Sequence, residues 1–238
     1  MSKLYIVPTP VGNMEDITLR AIRVLGEVSL ILAEDTRTSS VLLHHFNIEK
    51  PMRCYHKFNE HQTVSREVDF IKQGNDVALI SDAGTPAISD PGFLLVRECI
   101  KQGVEVVTLP GPTAFVPALV QSGLSSESFT FIGFLPQKKG RQTALGKLRQ
   151  EQRTMIFYES PFRVLKTLKE LCECLGPGRY ASVSREISKI YEQTLRGTLQ
   201  ELIDLFTATP PKGEFVIVVA GLAYQQRMEK GQKEELCE

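Results

Sequence analysis

Short apolar runs alternate with longer amphipathic stretches along nearly the whole chain. That alternation limits the fold more than any other feature. The runs at residues 4–7, 30–33, 52–55, 76–81 and 105–109 have the length and character of buried strands. Between them, residues 17–25, 39–46, 64–73 and 93–102 repeat apolar positions at helical spacing. Strand and helix in turn imply βαβ units and a mostly parallel sheet. Gly74, Gly103 and Gly123 each stand just past a helical pattern, where a C-cap belongs.

The second half keeps the alternation. Strands are expected at 128–134, 154–158, 180–184 and 215–220, and helices at 144–151, 162–175 and 199–207. In the second of these helices Leu165, Leu168, Leu171, Cys172 and Leu175 form one apolar stripe. Ser160 followed by Pro161 reads as its start, a cap and then proline in the first turn. Residues 179–199 show no helical pattern and read as paired antiparallel strands. The rigid turn Pro110-Gly111-Pro112 marks a boundary. The expected fold class is therefore α/β, with one domain over residues 1–111, a second over 112–224, and a polar tail over 225–238. A cleft between two such lobes is the expected binding place.

The 28 basic and 28 acidic residues cancel, so no global basic field draws the chain to nucleic acid. No apolar run approaches the ~18–20 residues that span a bilayer. The opening MSKLYIVPTPVGN reads as a first strand and not as a leader, which points to a cytoplasmic protein. Five irregularly spaced cysteines fit reduced thiols. Cys172 and Cys174 face different sides of one helical pattern, so no metal site is expected there.

Ligands of open α/β sheets bind beyond the carboxyl ends of the strands. Several Gly/Pro-rich turns fall at such ends, and SDAGTPAISDPG at 81–92 is the richest. Gly84 and Gly92 allow close backbone approach or positive φ, and Pro86 and Pro91 fix the path. A phosphate cradle would want cations or a free helix N-terminus, yet this loop carries carboxylates and no Lys or Arg. The loop suits a ligand with hydrogen-bond donors and positive charge. S-adenosylmethionine, with a sulfonium, an ammonium and one carboxylate, meets that description better than a dinucleotide. The G-x-G-x-x-G fingerprint is also missing after the first strand, where VPTPVGN stands instead. The plainer reading is a tight strand-to-helix turn with no ligand.

The runs LYIVPTPVGNMEDITLRA, AEDTR, SDAGTPAISDPG, LPGP, GFLP, FYESPFR and KGEFVIVV occur in this order over about residues 3–222. Together they resemble the ribosomal small-subunit 16S rRNA (cytidine-2'-O)-methyltransferases of the tetrapyrrole methylase superfamily. Many members carry a C-terminal helical extension that this sequence does not show. The resemblance implies two α/β domains with S-adenosylmethionine in the cleft between them, a homodimer, no metal, and 16S rRNA of the small ribosomal subunit as partner. It implies cofactor contacts at Pro10, at Asp82, Ala83, Gly84, Thr85, Pro86, Ala87 and Ile88, at Pro110, Gly111 and Thr113, and near Phe157 and Tyr158. Rival readings are a precorrin-type tetrapyrrole C-methyltransferase and a non-catalytic ribosome-assembly factor.

Methyl transfer to a ribose oxygen calls for a general base. Glu34 and Asp35 rank first, at the end of a strand, although Asp35 could instead cap the next helix. Glu159 is next, with a structural pairing to Arg163 as its alternative, and His56 is third. For RNA the candidates are Lys138, Lys139 and Arg141 in the densest basic cluster, and Arg20, Arg37 and Arg163 in or beside the motif runs.

Overall fold

The computed structural model describes residues 2–226. The chain divides into two compact units, Met1–Thr113 and Ala114–Glu238. The division falls two residues beyond the boundary between residues 111 and 112 read from the sequence. Residues 227–238 of the expected polar tail lie outside the described residues. Gln225, expected in that tail, is instead buried: its amide donates to the Gly178 carbonyl at 3.1 Å and its oxygen accepts from the Tyr180 N–H at 3.2 Å.

The first unit runs β1 (Lys3–Ile6), α1 (Leu19–Glu27), β2 (Leu30–Ala33), α2 (Thr36–His45), β3 (Met52–Cys54), α3 (Glu60–Lys72), β4 (Val77–Ile80), α4 (Phe93–Lys101) and β5 (Glu105–Thr108). Its sheet has the order β3-β2-β4-β1-β5, and every pairing is parallel. Successive strand residues serve opposite cores. Ile31, Ala33, Ala78 and Ile80 join the cluster containing Ala21, Val24 and Leu42 of α1 and α2. Leu30, Leu32, Val77 and Leu79 join Val68, Ile71 and Leu95 of α3 and α4. Burial on both faces is why these strands are apolar without alternation.

The second unit adds α5 (Phe115–Ser122), β6 (Phe129–Gly133), α6 (Arg141–Leu148), β7 (Thr154–Glu159), α7 (Val164–Leu175), β8 (Tyr180–Arg185), β9 (Gln193–Thr198), α8 (Leu199–Ala208) and β10 (Phe215–Val219). Its sheet, β6-β7-β10-β8-β9, is mixed: β10 runs antiparallel to both β7 and β8. The antiparallel pair expected in 179–199 is β8 with β9. The sequence reading left α5 unbounded, although Gly123 does close it in the left-handed conformation at φ 72°. Pro117 looks like a breaker there, but it stands in the first turn, where its missing N–H has no partner to lose. The turn at Ser160 precedes α7: the Ser160 carbonyl accepts from the Arg163 and Val164 N–H groups, both at 3.0 Å.

Leu168 sits at 0% exposure in the larger core of the second unit. Leu168→Ala should lower unfolding stability by about 2–5 kcal/mol. Lys169→Ala, one residue on, should change it by under about 0.5 kcal/mol. Urea unfolding of both variants checks the contrast through the midpoints.

Candidate active site

In an all-parallel sheet every carboxyl end faces one edge. In the first unit that edge gathers the turns after β1, β2, β4 and β5. They are tied by the backbone. The Thr9 N–H donates to the Gly84 carbonyl and the Gly84 N–H returns to the Thr9 carbonyl, both at 2.9 Å. The Thr9 hydroxyl donates to the Ser81 carbonyl at 2.9 Å, and the Thr85 hydroxyl to the Pro112 carbonyl at 3.0 Å. Gly111 packs so tightly on Pro8 that a Cβ would stand 2.7 Å from the proline Cβ. Gly92, at φ 137°, could take a Cβ only 2.7 Å from Leu79 Cδ2. Ala87 and Ser89 hold positive φ without being glycine, at 68° and 67°. The 81–92 loop is thus held in one shape by its neighbours.

Most residues nominated for cofactor contact lie along this edge. Asp82, Ala83 and Ile88 are exposed, Thr85 and Ala87 half-buried, and Pro10, Gly84 and Pro86 buried. Pro110 and Gly111 are exposed on the neighbouring turn. The Thr113 hydroxyl is buried and has no hydrogen-bond partner. An open pocket of about 310 Å³ is lined by Thr9, Pro10, Met14, Ser81 and Asp82 together with Thr38, Ser39, Val41 and Leu42 of α2. In the second unit, the Phe157 side chain is fully buried in the core, which leaves its backbone for a ligand. Tyr158 is half-buried against the rings of Phe131 and Phe134.

The edge is acidic. Burial raises the Glu34 carboxyl above its ordinary value, Asp82 raises it further, and His56 opposes. Asp82 is raised by burial, with the Asp35 N–H, donating to its Oδ1 at 3.2 Å, working the other way. Asp90 is pushed up to about 7 by burial first, then by the charges of Glu34 and Asp82. The sequence reading passed over Asp90. Its signal was present in the second Asp of a Gly/Pro loop.

Asp35 does what its alternative reading said: it caps α2, accepting from the Arg37 N–H at 2.9 Å. The Arg37 guanidinium also grips it, with Nη2–Oδ2 at 2.6 Å, and these bonds hold the carboxyl down at about 2. A carboxylate so stabilised is a poor proton acceptor. Glu159 also needs correction as a candidate base. Its side chain has no exposure and accepts from Thr167 Oγ1 at 2.7 Å, Arg163 Nη2 at 2.9 Å and the Ser160 N–H at 2.8 Å.

Arg141 was expected on RNA and is instead internal, at 5% exposure. Its guanidinium donates to Glu170 Oε2 at 2.6 and 2.8 Å, to Thr167 Oγ1 at 2.7 Å and to the Pro136 carbonyl at 3.1 Å. Arg163 pairs with Glu159, whereas Arg20, Lys138 and Lys139 are exposed. Arg37 is exposed too, but paired with Asp35. No group of three or more His, Cys, Asp or Glu among the described residues could hold a metal ion. Among them no helix is long and apolar enough to cross a membrane.

The family model for Tetrapyrrole (Corrin/Porphyrin) Methylases matches residues 3–203. Over 219 residues the chain is 49% identical to a Halalkalibacterium halodurans protein named Ribosomal RNA small subunit methyltransferase I, covering 92% of this chain and 75% of that one. A Thermotoga maritima protein of the same name is 44% identical, covering 93% of this chain and 99% of that one. The chain belongs to the tetrapyrrole methylase family, among its ribosomal RNA small subunit methyltransferase I members. This methylase is therefore an enzyme that transfers methyl groups. Its fold also matches solved structures of diphthine synthase (TM-score 0.73, 14% identity, 92% of this chain and 90% of that chain) and of the methyltransferase CobJ (0.69, 19%, 94% and 95%).

Two outcomes are expected from these contacts in the methylase. A carboxyl raised from 3.8 to about 7 stays protonated in the folded state while the unfolded chain has already ionised. Its contribution is therefore full below pH 4 and lost as pH rises through 7. Asp90→Asn should melt higher than the parent at pH 8, with the gain shrinking towards pH 4, in thermal scans across that range. Arg141→Met strands Glu170 and the Thr167–Glu159 pair, and should cost about 3–5 kcal/mol in urea unfolding.

Proposed function

We propose that this methylase transfers the methyl group of S-adenosylmethionine to the 2'-oxygen of a cytidine in 16S rRNA, as a homodimer acting on the small ribosomal subunit. The observation that carries the reading is the 44–49% identity to proteins named for that RNA, over more than nine-tenths of the chain. The acidic strand-end edge of the first unit supports the cofactor assignment.

That edge fits the cofactor on its own chemistry. The 81–92 loop offers backbone and carboxylates and no cation, which suits a ligand of net positive charge. Gly84 and Gly111 let the turns of this edge pack closely on one another, and the buried Thr113 hydroxyl waits for a partner. Pro10, residues 82–88 and Pro110 to Thr113 would hold it. The bound cofactor supplies an already activated methyl group.

The chain must then hold the acceptor oxygen in line and take its proton. A ribose hydroxyl is a weak nucleophile at neutral pH, and a positioned base contributes about 10²–10⁴-fold. The proton goes to the carboxylate group Glu34, Asp82 and Asp90, in which Asp82 raises the proton affinity of Glu34 and both raise that of Asp90. Asp90, at about 7, is matched to neutral operation.

The test is methyl incorporation into small subunits from cells lacking this gene, followed by alkaline hydrolysis. Label in an alkali-resistant dinucleotide is expected, since a 2'-O-methyl blocks cleavage at its own position. Label in a mononucleotide, or none with cofactor bound, would contradict the reading. In the same assay Asp90→Asn should lose about 10²–10⁴-fold in kcat. Glu34→Gln, which removes a negative neighbour, should shift the rising limb of the pH–rate profile to lower pH.

A further inference from the structure

The second unit exposes side chains that a folded protein has every reason to bury. Phe162 is 95% exposed, Ile190 95% and Tyr191 71%. A lone exposed apolar residue means little, but three at one place call for a partner. The topology puts them at one end of the sheet. Glu159, the last residue of β7, and Arg185, the last of β8, both pair with Phe215 at the start of β10. They therefore stand two strand spacings apart, about 10 Å. Phe162 follows the first, and Ile190 and Tyr191 lie in the hairpin after the second. Lys138 and Lys139 leave the same end after β6, and Lys212 arrives there before β10.

Charge decides between partners. The carboxylates at this end are hydrogen-bonded or ion-paired within the chain, although Glu192 and Glu214 are exposed. Glu186 accepts from Lys189 at 3.0 Å and from the Glu214 N–H at 2.9 Å, and Glu214 accepts from Lys189 at 2.8 Å. Glu192 accepts from the Ser188 N–H at 2.6 Å and from Gln121 at 3.0 Å. Glu159 is enclosed. Lys138, Lys139 and Lys212 are exposed and have no ion pair among the described residues. Protein-binding patches are depleted in lysine, whereas single-stranded nucleic acid is held by aromatic faces set among cations.

We infer that this end of the second sheet is a docking surface for an unpaired RNA segment. Phe162 and Tyr191 stack on bases, Ile190 packs beside them, and Lys138, Lys139 and Lys212 neutralise phosphates. The inference rests on the ribosomal-RNA reading above. It extends that reading by naming where an unpaired segment of the RNA is gripped.

The experiment measures binding of the full chain to unmethylated small subunits over a salt series. S-adenosylmethionine affinity and sedimentation mass serve as controls. Phe162→Ala and Tyr191→Ala should each weaken subunit binding by about 5- to 150-fold. Their salt slopes, cofactor affinity and mass should match the parent. Lys138→Gln and Lys139→Gln should each flatten the salt slope by about 0.7. Parental subunit affinity in both aromatic variants overturns the inference and leaves the rRNA reading intact. A changed mass with parental subunit affinity also overturns it, and marks the face as a contact between copies of the chain. A parent that binds no subunits overturns both.

Discussion

The reciprocal hydrogen bonds between Thr9 and Gly84 fix the candidate site of the first unit. They join the turn after β1 to the loop after β4, and both strands are internal to a fully parallel sheet. Once joined, the loop has little freedom. Gly92 must pass Leu79, Thr85 reaches Pro112, and Asp82 meets the backbone of Asp35. A βαβ fold places such turns at one edge whatever the sequence, and these contacts turn an edge into a shaped surface.

The electrostatics follow from the same closeness. Glu34 follows β2, Asp82 and Asp90 share the loop after β4, and Glu34 acts on that loop only because the sheet brings the two turns together. The one nearby cation in the motif, Arg37, is committed to Asp35. What remains is an edge with negative potential. It suits a positive ligand and raises the proton affinity of Glu34 and Asp90.

Strand and helix existence was legible because burial on two faces leaves long apolar runs, as in Leu30–Ala33, and because helices covering them keep their stripes. Residue roles were less legible. Arg141 reads as part of a basic cluster, yet Glu170 and Thr167, on another helix, draw it inside. Glu159 and Arg163 show as an i,i+4 pair, but only the fold reveals that the pair is enclosed. Asp90 stands in plain view as the second Asp of a Gly/Pro loop, but its burial and the approach of Glu34, far off in sequence, are set only by the fold. The aromatic end of the second sheet was hidden likewise, since β7 and β8 meet only through β10.

The most direct measurement is a structure of this chain with S-adenosylmethionine bound. The cofactor should lie against residues 82–88 and the Pro110 to Thr113 turn, with the Thr113 hydroxyl hydrogen-bonded to it. A cofactor bound elsewhere, with that hydroxyl still unpartnered, would contradict the account.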